Sequence, residues 1–424
     1  MPRQMKPVHQ IKMQTKHTRG ANPILIYLAV ILLAVNAIFL GVFLFKGNNP
    51  VKLTPSLTQI PTTPTVISPT ASLTGSSLPI DIKSKPVNLA WFTYLPKKAT
   101  DILLIAKWFD LFILIQGDED NRDLVKSMGV TGPILQYLEF ETIQDPGSCT
   151  AEPEINQVTY LPGDFCQISK QHPDWFLLNN KGQRIRIADD DNSWYLMDPG
   201  NPGWRAYFLE RVKQFQSDPN WDGVFLDNVP VTLAFREDEG NIPASYPDDA
   251  SYQTAIRGFL KFLHDEYFQP NSKLLFANLV SRRDDSGWVG HLENIDGAMY
   301  EGWALDWPDG YRPADVWEEQ LQVAEQTQQA GKYIILVSLG TKQDAALQQF
   351  AFASYLLINQ GHAAFRYSNS SSYNEIWLYD DYSLDLGDPL GDRYKVESEW
   401  RRDFTNGSVT VNPITHKVEI TVKP

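Results

Sequence analysis

Two short stretches end in carboxylates that a reaction could use. Trp221-Asp-Gly-Val-Phe-Leu-Asp227-Asn228 and Ile295-Asp-Gly-Ala-Met-Tyr-Glu301-Gly-Trp303 are each a small apolar run closing on an acid. In a barrel of parallel strands the C-terminal strand ends converge on one face, where a ligand meets side chains from several strands. Two carboxyls delivered there can share the cleavage of a glycosidic bond. One protonates the leaving oxygen, and the other attacks the anomeric carbon or activates water. Asp227 and Glu301 are the expected pair. Asn228 is expected to cap the strand or contact substrate, with one polar side chain on each side of the strand end. Trp303 shares the strand phase of Met299 and Glu301, so it either stacks on a sugar ring or packs in the core. Tyr94, Asp118, Glu139, Asn278 and Arg366 lie in or at the ends of other apolar runs and are further substrate-binding candidates. For Asp118 and Glu139, solvated loop acids or caps are an equal alternative. Asp222 and Asp296 begin the same runs and are expected at the opposite, stabilising face. Asp380, Asp381, Asp385, Asp388 and Asp392 do not follow calcium-loop spacing, and a solvated loop is expected there. No metal and no cofactor are expected.

Eight apolar runs can carry these residues: Asn88–Leu95, Leu111–Gln116, Pro133–Phe140, Gly223–Asn228, Lys273–Val280, Gly297–Trp303, Tyr333–Leu339 and Ala363–Tyr367. Several are apolar throughout, as parallel strands covered by helices are. Helical patterns alternate with them. Tyr252, Ile256, Phe259, Leu260, Leu263 and Tyr267 follow one-sided helical spacing, as do Trp204, Tyr207, Phe208, Val212 and Phe215. The expected class is α/β, a (β/α)8 TIM barrel over residues 86–400. A doubly wound open sheet is the alternative, but no Gly-rich phosphate fingerprint follows the first run. Residues 142–200 are too long for a plain connection and are expected to wall one side of the active face. Residues 401–424 read as a C-terminal β-hairpin packed on the barrel, with Ser408–Asn412 and Lys417–Val422 alternating around Pro413-Ile-Thr-His416.

Residues 1–20 hold five basic residues and no acid, and Pro23–Phe45 is 23 residues without a charge. That length spans a bilayer, and the basic flank stays in the cytoplasm. The expected topology is a cytoplasmic tail over 1–20, a transmembrane anchor over 21–46 and a barrel outside the cell membrane. A cleaved signal peptide competes, but Lys46-Gly-Asn-Asn-Pro50 is not small-residue cleavage sequence. Residues 47–85 are the expected linker. Thr, Ser and Pro fill 17 of positions 51–80, too few apolar groups to offset chain entropy. The formal net charge is −14, and the first 46 residues carry six positive and no negative charges, leaving −20 for the rest. Such acidity argues against nucleic acid as a partner. Cys149 and Cys166 are the only cysteines. Outside the membrane they are expected to form one disulfide, two free thiols being the alternative.

Asp-Gly-Val-Phe-Leu-Asp-Asn at 222–228 resembles the fourth-strand signature of glycosyl-hydrolase-like TIM barrels and of the endo-α-1,4-polygalactosaminidase group. His172-Pro-Asp-Trp175, Asp198-Pro-Gly-Asn-Pro-Gly-Trp204, Asp385-Leu-Gly-Asp-Pro-Leu-Gly391 and Arg402-Asp-Phe-Thr-Asn-Gly407 strengthen the resemblance to the former, over roughly 88–424. The resemblance implies a hydrolase with the strand-four Asp as nucleophile and a strand-six acid as proton donor. Similarity to α-galactosidase-like barrels implies an α-linked polysaccharide or oligosaccharide. Two other readings use the same residues: a catalytically silent glycan-binding barrel, and a transglycosidase.

Overall fold

The eight apolar runs form eight parallel strands. We label them β1 (Ala90–Thr93), β2 (Leu111–Leu114), β3 (Ile134–Glu139), β4 (Gly223–Pro230), β5 (Leu274–Val280), β6 (Gly297–Glu301), β7 (Tyr333–Leu339) and β8 (Ala363–Ser368). They pair in chain order, and a parallel bridge between Leu89 and Phe365 brings β8 back to β1. The result is a nearly closed barrel in a computed structural model that describes residues 87–423, except 94, 97, 190, 191, 235, 237–239, 281–286 and 309. The basic tail, anchor and linker expected from the sequence lie outside the described residues, as does Tyr94. No helix among the described residues is long and apolar enough to cross a membrane.

Alternation along the strands builds two cores. Phe92, Ile113, Tyr137, Phe225, Phe276 and Met299 fill the barrel interior. Trp91, Phe112, Leu138, Val224, Leu275 and Phe365 point outward beneath the helices. With both faces covered, the strands read as continuous apolar runs. The covering helices are α1 (Ala99–Trp108), α2 (Glu119–Ser127), α3 (Pro202–Phe215), α4 (Asp249–Leu263), α5 (Trp288–His291), α6 (Ala314–Gln329) and α7 (Ala345–Ile358).

Acids clasp the base of the barrel. Asp110, Asp222 and Asp296 precede β2, β4 and β6, and each accepts a backbone N–H within one residue of the start of the preceding strand: Leu89 at 3.2 Å, Ile134 at 2.8 Å and Leu275 at 2.9 Å. Asp222 and Asp296 therefore sit at the face expected of them. The glycine after each has a separate reason. A Cβ at Gly223 would stand 2.0 Å from the Leu274 carbonyl oxygen, and one at Gly297 would meet the Phe276 ring.

Residues 142–200 form the expected wall. Thr142–Asp145, Asn192–Leu196 and Arg186–Asp189 make an antiparallel sheet beside a helix over Asp164–Gln171. Asn156 ties this insertion to the barrel mouth: its carbonyl accepts from Glu139 N and its side-chain oxygen from Gln116 N, both at 2.8 Å. Cys149 and Cys166 are bonded as expected, across a separation of 17 residues. Removing this bond as Cys149→Ser with Cys166→Ser should lower the stability of the wall by about 3 kcal/mol, the loop-closure value for such a loop. Hydrogen exchange of the wall amides measures it; unchanged protection would mean the bond restrains nothing.

The C-terminus departs from expectation. The hairpin is present as Gly407–Val411 and Val418–Val422, but it is half of a four-stranded antiparallel sheet that also contains Tyr394–Val396 and Glu399–Phe404. The two extra strands are rich in charge and carry no apolar run. Phe404, Val409 and Val411 bury the sheet's inner face in the helix-side core. Arg402 donates to the Leu356 and Asn359 carbonyls at the end of α7, where a cation also meets the helix dipole favourably.

Candidate active site

Glu139 and Glu301 end β3 and β6, and Asp227 and Asn278 lie within the last four residues of β4 and β5, all on the inward face, so the barrel delivers all four to its mouth. Glu139 and Asp227 are register partners. Register between β4 and β5 shifts between Leu226 and Val229, and Asn228 takes a positive φ of 57°. This bulge changes the expected alternation. Instead of pointing to the opposite side from Asp227, Asn228 turns inward and donates its amide to Glu139 Oε2 at 2.7 Å.

Asp227 is buried and fully partnered. Tyr137 O–H donates to Oδ2 at 2.5 Å, while Asn278 Nδ2 and the Asn228 N–H donate to Oδ1, each at 2.9 Å. The same Asn278 nitrogen also donates to Glu301 Oε2 at 3.3 Å, and Tyr373 O–H donates to Glu301 Oε1 at 3.3 Å. Sharing one nitrogen limits the separation: Asp227 Oδ1 and Glu301 Oε2 are at most 6.2 Å apart by the triangle inequality.

Electrostatics separates the two acids. Burial raises the Asp227 carboxyl, while the Tyr137, Asn278 and Asn228 donors pull it back. Glu301 is raised to about 7, by burial first and the Asp227 charge second, against weaker lowering by Asn278 and Tyr373. Its surface remains open to solvent although protein surrounds it, as on the floor of a cleft. A substrate covering that floor would desolvate it further.

Glu139 is raised to about 8 by burial and then by Asp227, although Asn228 and Thr142 hold its charged form. The folded protein thus keeps a proton that the unfolded chain releases near 4.5. Linkage then makes this contribution to stability full below about 4.5 and lost as pH rises through about 8. Comparing thermal melts at pH 5 and pH 8.5, wild type should lose more stability with rising pH than Glu139→Gln. Equal slopes would show that Glu139 is ionised throughout.

The remaining candidates separate by location. Asp118 lies past the end of β2, at the N-cap position of α2, accepting from Leu95 N and Asn121, both at 3.4 Å; burial raises it to about 6. It braces the β1 exit and has no contact with the Asp227–Glu301 pair. Of the two readings of Trp303, the structure shows core packing and not a substrate contact. Trp303 is 0 % exposed, and its indole N–H donates to the Ala351 carbonyl on α7. Gly302, at φ 79°, breaks the alternation after Glu301 and turns the indole to the helix side. Arg366 is also corrected: it is 2 % exposed and donates to the backbone carbonyls of Tyr373 and Glu375, not into the cleft. Tyr137 and Tyr373 were missed. Tyr137 could have been found two residues before Glu139 on the inward phase; Tyr373 follows β8 in a loop with no periodic signal. Among the described residues no three His, Cys, Asp or Glu side chains are grouped to hold a metal ion.

An eight-stranded parallel barrel with carboxyls from β4 and β6 on one amide defines a glycosidase-type protein. The chain belongs to hypothetical glycosyl hydrolase family 15, whose model matches residues 148–408. No curated protein matches the chain. Among solved structures it is similar to the glycoside hydrolase domain of PelA from Pseudomonas aeruginosa, at 16% identity and TM-score 0.44 over 69% of this chain and 97% of that one. It is also similar to an alpha-galactosidase from Thermus thermophilus, at 12% identity and TM-score 0.42 over 75% and 65% of the two chains. A third is an alpha-amylase from Lactobacillus plantarum, at 10% identity and TM-score 0.44 over 80% and 95%.

Most motifs behind the resemblance stand away from the chemistry. Asn201 caps α3 by accepting from Gly203 N and Trp204 N, and His172 stacks on Trp175 at 3.9 Å. Gly391 accepts from Arg402, and Asp388 N donates to Thr405. These segments fasten the wall and the C-terminal sheet.

Proposed function

We propose that the protein is a membrane-anchored, extracellular retaining glycosidase that cleaves α-linked bonds in a surface or extracellular polysaccharide. Asp227 is its nucleophile and Glu301 its acid/base. The observation that carries the reading is the single Asn278 amide touching both carboxylates, which keeps their nearest oxygens within 6.2 Å. Retention uses carboxyls about 5–5.5 Å apart, whereas inversion needs roughly 6.5–9.5 Å to admit a water.

In the first step Asp227 attacks the anomeric carbon while protonated Glu301 gives its proton to the leaving oxygen. Glycosylation then removes the Asp227 charge. Because that charge helps hold the Glu301 pKa up, its loss makes Glu301 a carboxylate suited to deprotonate the incoming water. The α-linkage rests on the resemblance to α-galactosidase-like barrels, which also use strands four and six, and the anchor on Pro23–Phe45.

The test is product stereochemistry. Aryl glycosides of both anomers are screened, and the first-formed sugar from any hydrolysed substrate is read by proton NMR. Retention supports the reading; inversion overturns it, and glycan binding with no turnover leaves a binding barrel. The anchor predicts that the protein stays with membranes through high-salt washing, whereas a soluble form beginning near residue 47 would indicate a cleaved signal.

A further inference from the structure

Arg366 is a buried cation whose position calls for a reason. It lies in the seam where β8 meets β1, its guanidinium 4.8 Å from the Trp91 ring centroid on the helix side and 5.9 Å from that of Phe92 in the barrel interior. No carboxylate pairs with it among the described residues, and its Nε and Nη1 are buried without a hydrogen-bond partner. An unpaired buried charge is destabilising, and an apolar residue would fill such a seam more favourably. What Arg366 does make are two bonds from one nitrogen: Nη2 donates to the Tyr373 carbonyl at 3.0 Å and to the Glu375 carbonyl at 2.9 Å.

Those carbonyls lie two residues apart in the loop that follows β8. Tyr373 projects from it into the barrel interior, its ring edge-on to Phe92 at 4.7 Å, and its hydroxyl donates to Glu301 Oε1. Ser370–Ser372, just before it, are small polar residues with no apolar side chain to bury. We propose that Arg366 is a positioning residue: by gripping the Tyr373 and Glu375 carbonyls it aims the Tyr373 hydroxyl at Glu301 and so sets the proton affinity of the acid/base. This rests on Glu301 being that acid/base. It also replaces the expected contact between Arg366 and substrate.

The groups facing Glu301 are Asp227 from β4, Asn278 from β5, Tyr137 from β3 and Tyr373 itself. Only the last is held by Arg366. The Tyr373 bond favours the charged form of Glu301, so its loss should raise the Glu301 pKa. Arg366→Lys keeps the charge, but its shorter side chain stops the ammonium short of the position Nη2 holds between the two carbonyls, which separates geometry from Coulomb attraction.

The experiment is a carboxyl titration of Glu301 by NMR in full-length protein carrying carbon-13 glutamate, assigned by its absence in Glu301→Gln. Tyr373→Phe should move Glu301 upward by about one pH unit, the loss of one hydrogen bond to a charged acceptor. Arg366→Lys should move it in the same direction. The double variant should match Tyr373→Phe alone, because Arg366 acts through that hydroxyl. An Arg366→Lys titration identical to wild type, or single effects that add, overturns the proposal. Thermal melts verify folding; if Arg366→Lys does not fold, Arg366→Gln takes its place, and if neither folds Arg366 is a core residue and the proposal falls. The titration needs no turnover. Failure of the acid/base reading would appear elsewhere, as normal hydrolysis of poor leaving groups by Glu301→Gln.

Discussion

Asp227→Asn should eliminate turnover while leaving fold and glycan affinity in place. The loss should be on the order of 10⁴-fold or more in kcat, the scale on which removal of a nucleophile is felt. The physical reason lies in its partners. Asp227 accepts from Tyr137, Asn278 and its own neighbour's N–H, three donors that favour a carboxylate where burial opposes one. An asparagine there is a poor nucleophile, and its amide N–H₂ would face donors. Folding is measured by thermal melt and affinity by titration calorimetry with a non-hydrolysed oligosaccharide. Residual activity within about tenfold of wild type would remove Asp227 from the nucleophile's role.

Glu301→Gln should act selectively. Substrates with poor leaving groups should slow by about 10²–10⁴-fold, the usual contribution of a positioned general acid, and those with good leaving groups far less. Wild-type hydrolysis should also fall as pH rises through about 7, because Glu301 must carry its proton to give it away. That alkaline limb should be absent from the variant. Rates on a series of aryl glycosides of graded leaving-group acidity, each taken from pH 5 to pH 9, provide the check. A uniform loss across the series would make Glu301 a substrate-binding group.

The barrel and the meeting of Asp227 with Glu301 were legible because the fourth and sixth apolar runs each stop at an acid. Such a stop is what a strand buried on both faces looks like where it reaches the open mouth. Cysteine pairing was legible because only two thiols exist. The misreadings share a cause: each concerned a backbone torsion or a long-range contact. Trp303 sits at the right spacing from Glu301, but the positive φ of Gly302 intervenes. Asn228 reaches Glu139 because a bulge adds a residue to β4, and no composition marks that bulge. Tyr373 joins Glu301 across 72 positions of sequence, through a loop without periodicity. Arg366 was a substrate-binding candidate as a cation within the eighth apolar run, yet the barrel seam lets the guanidinium slip between the two cores.

The acids at the barrel base bear on what happens at its mouth. Asp222 fixes the start of β3 against β4, and Asp296 fixes the start of β5 against β6. A strand is stiff along its length, so the height at which each chain begins determines the height at which its last side chain emerges. The gap between Asp227 and Glu301 is in this sense a caliper opening whose adjustment sits at the far end of the tool. A one-residue slip at the base would send Glu301 to the helix side, since the side-chain period is two. Mouth loops can therefore be exchanged for new glycan preferences without resetting the jaws, provided the three aspartates below stay in place.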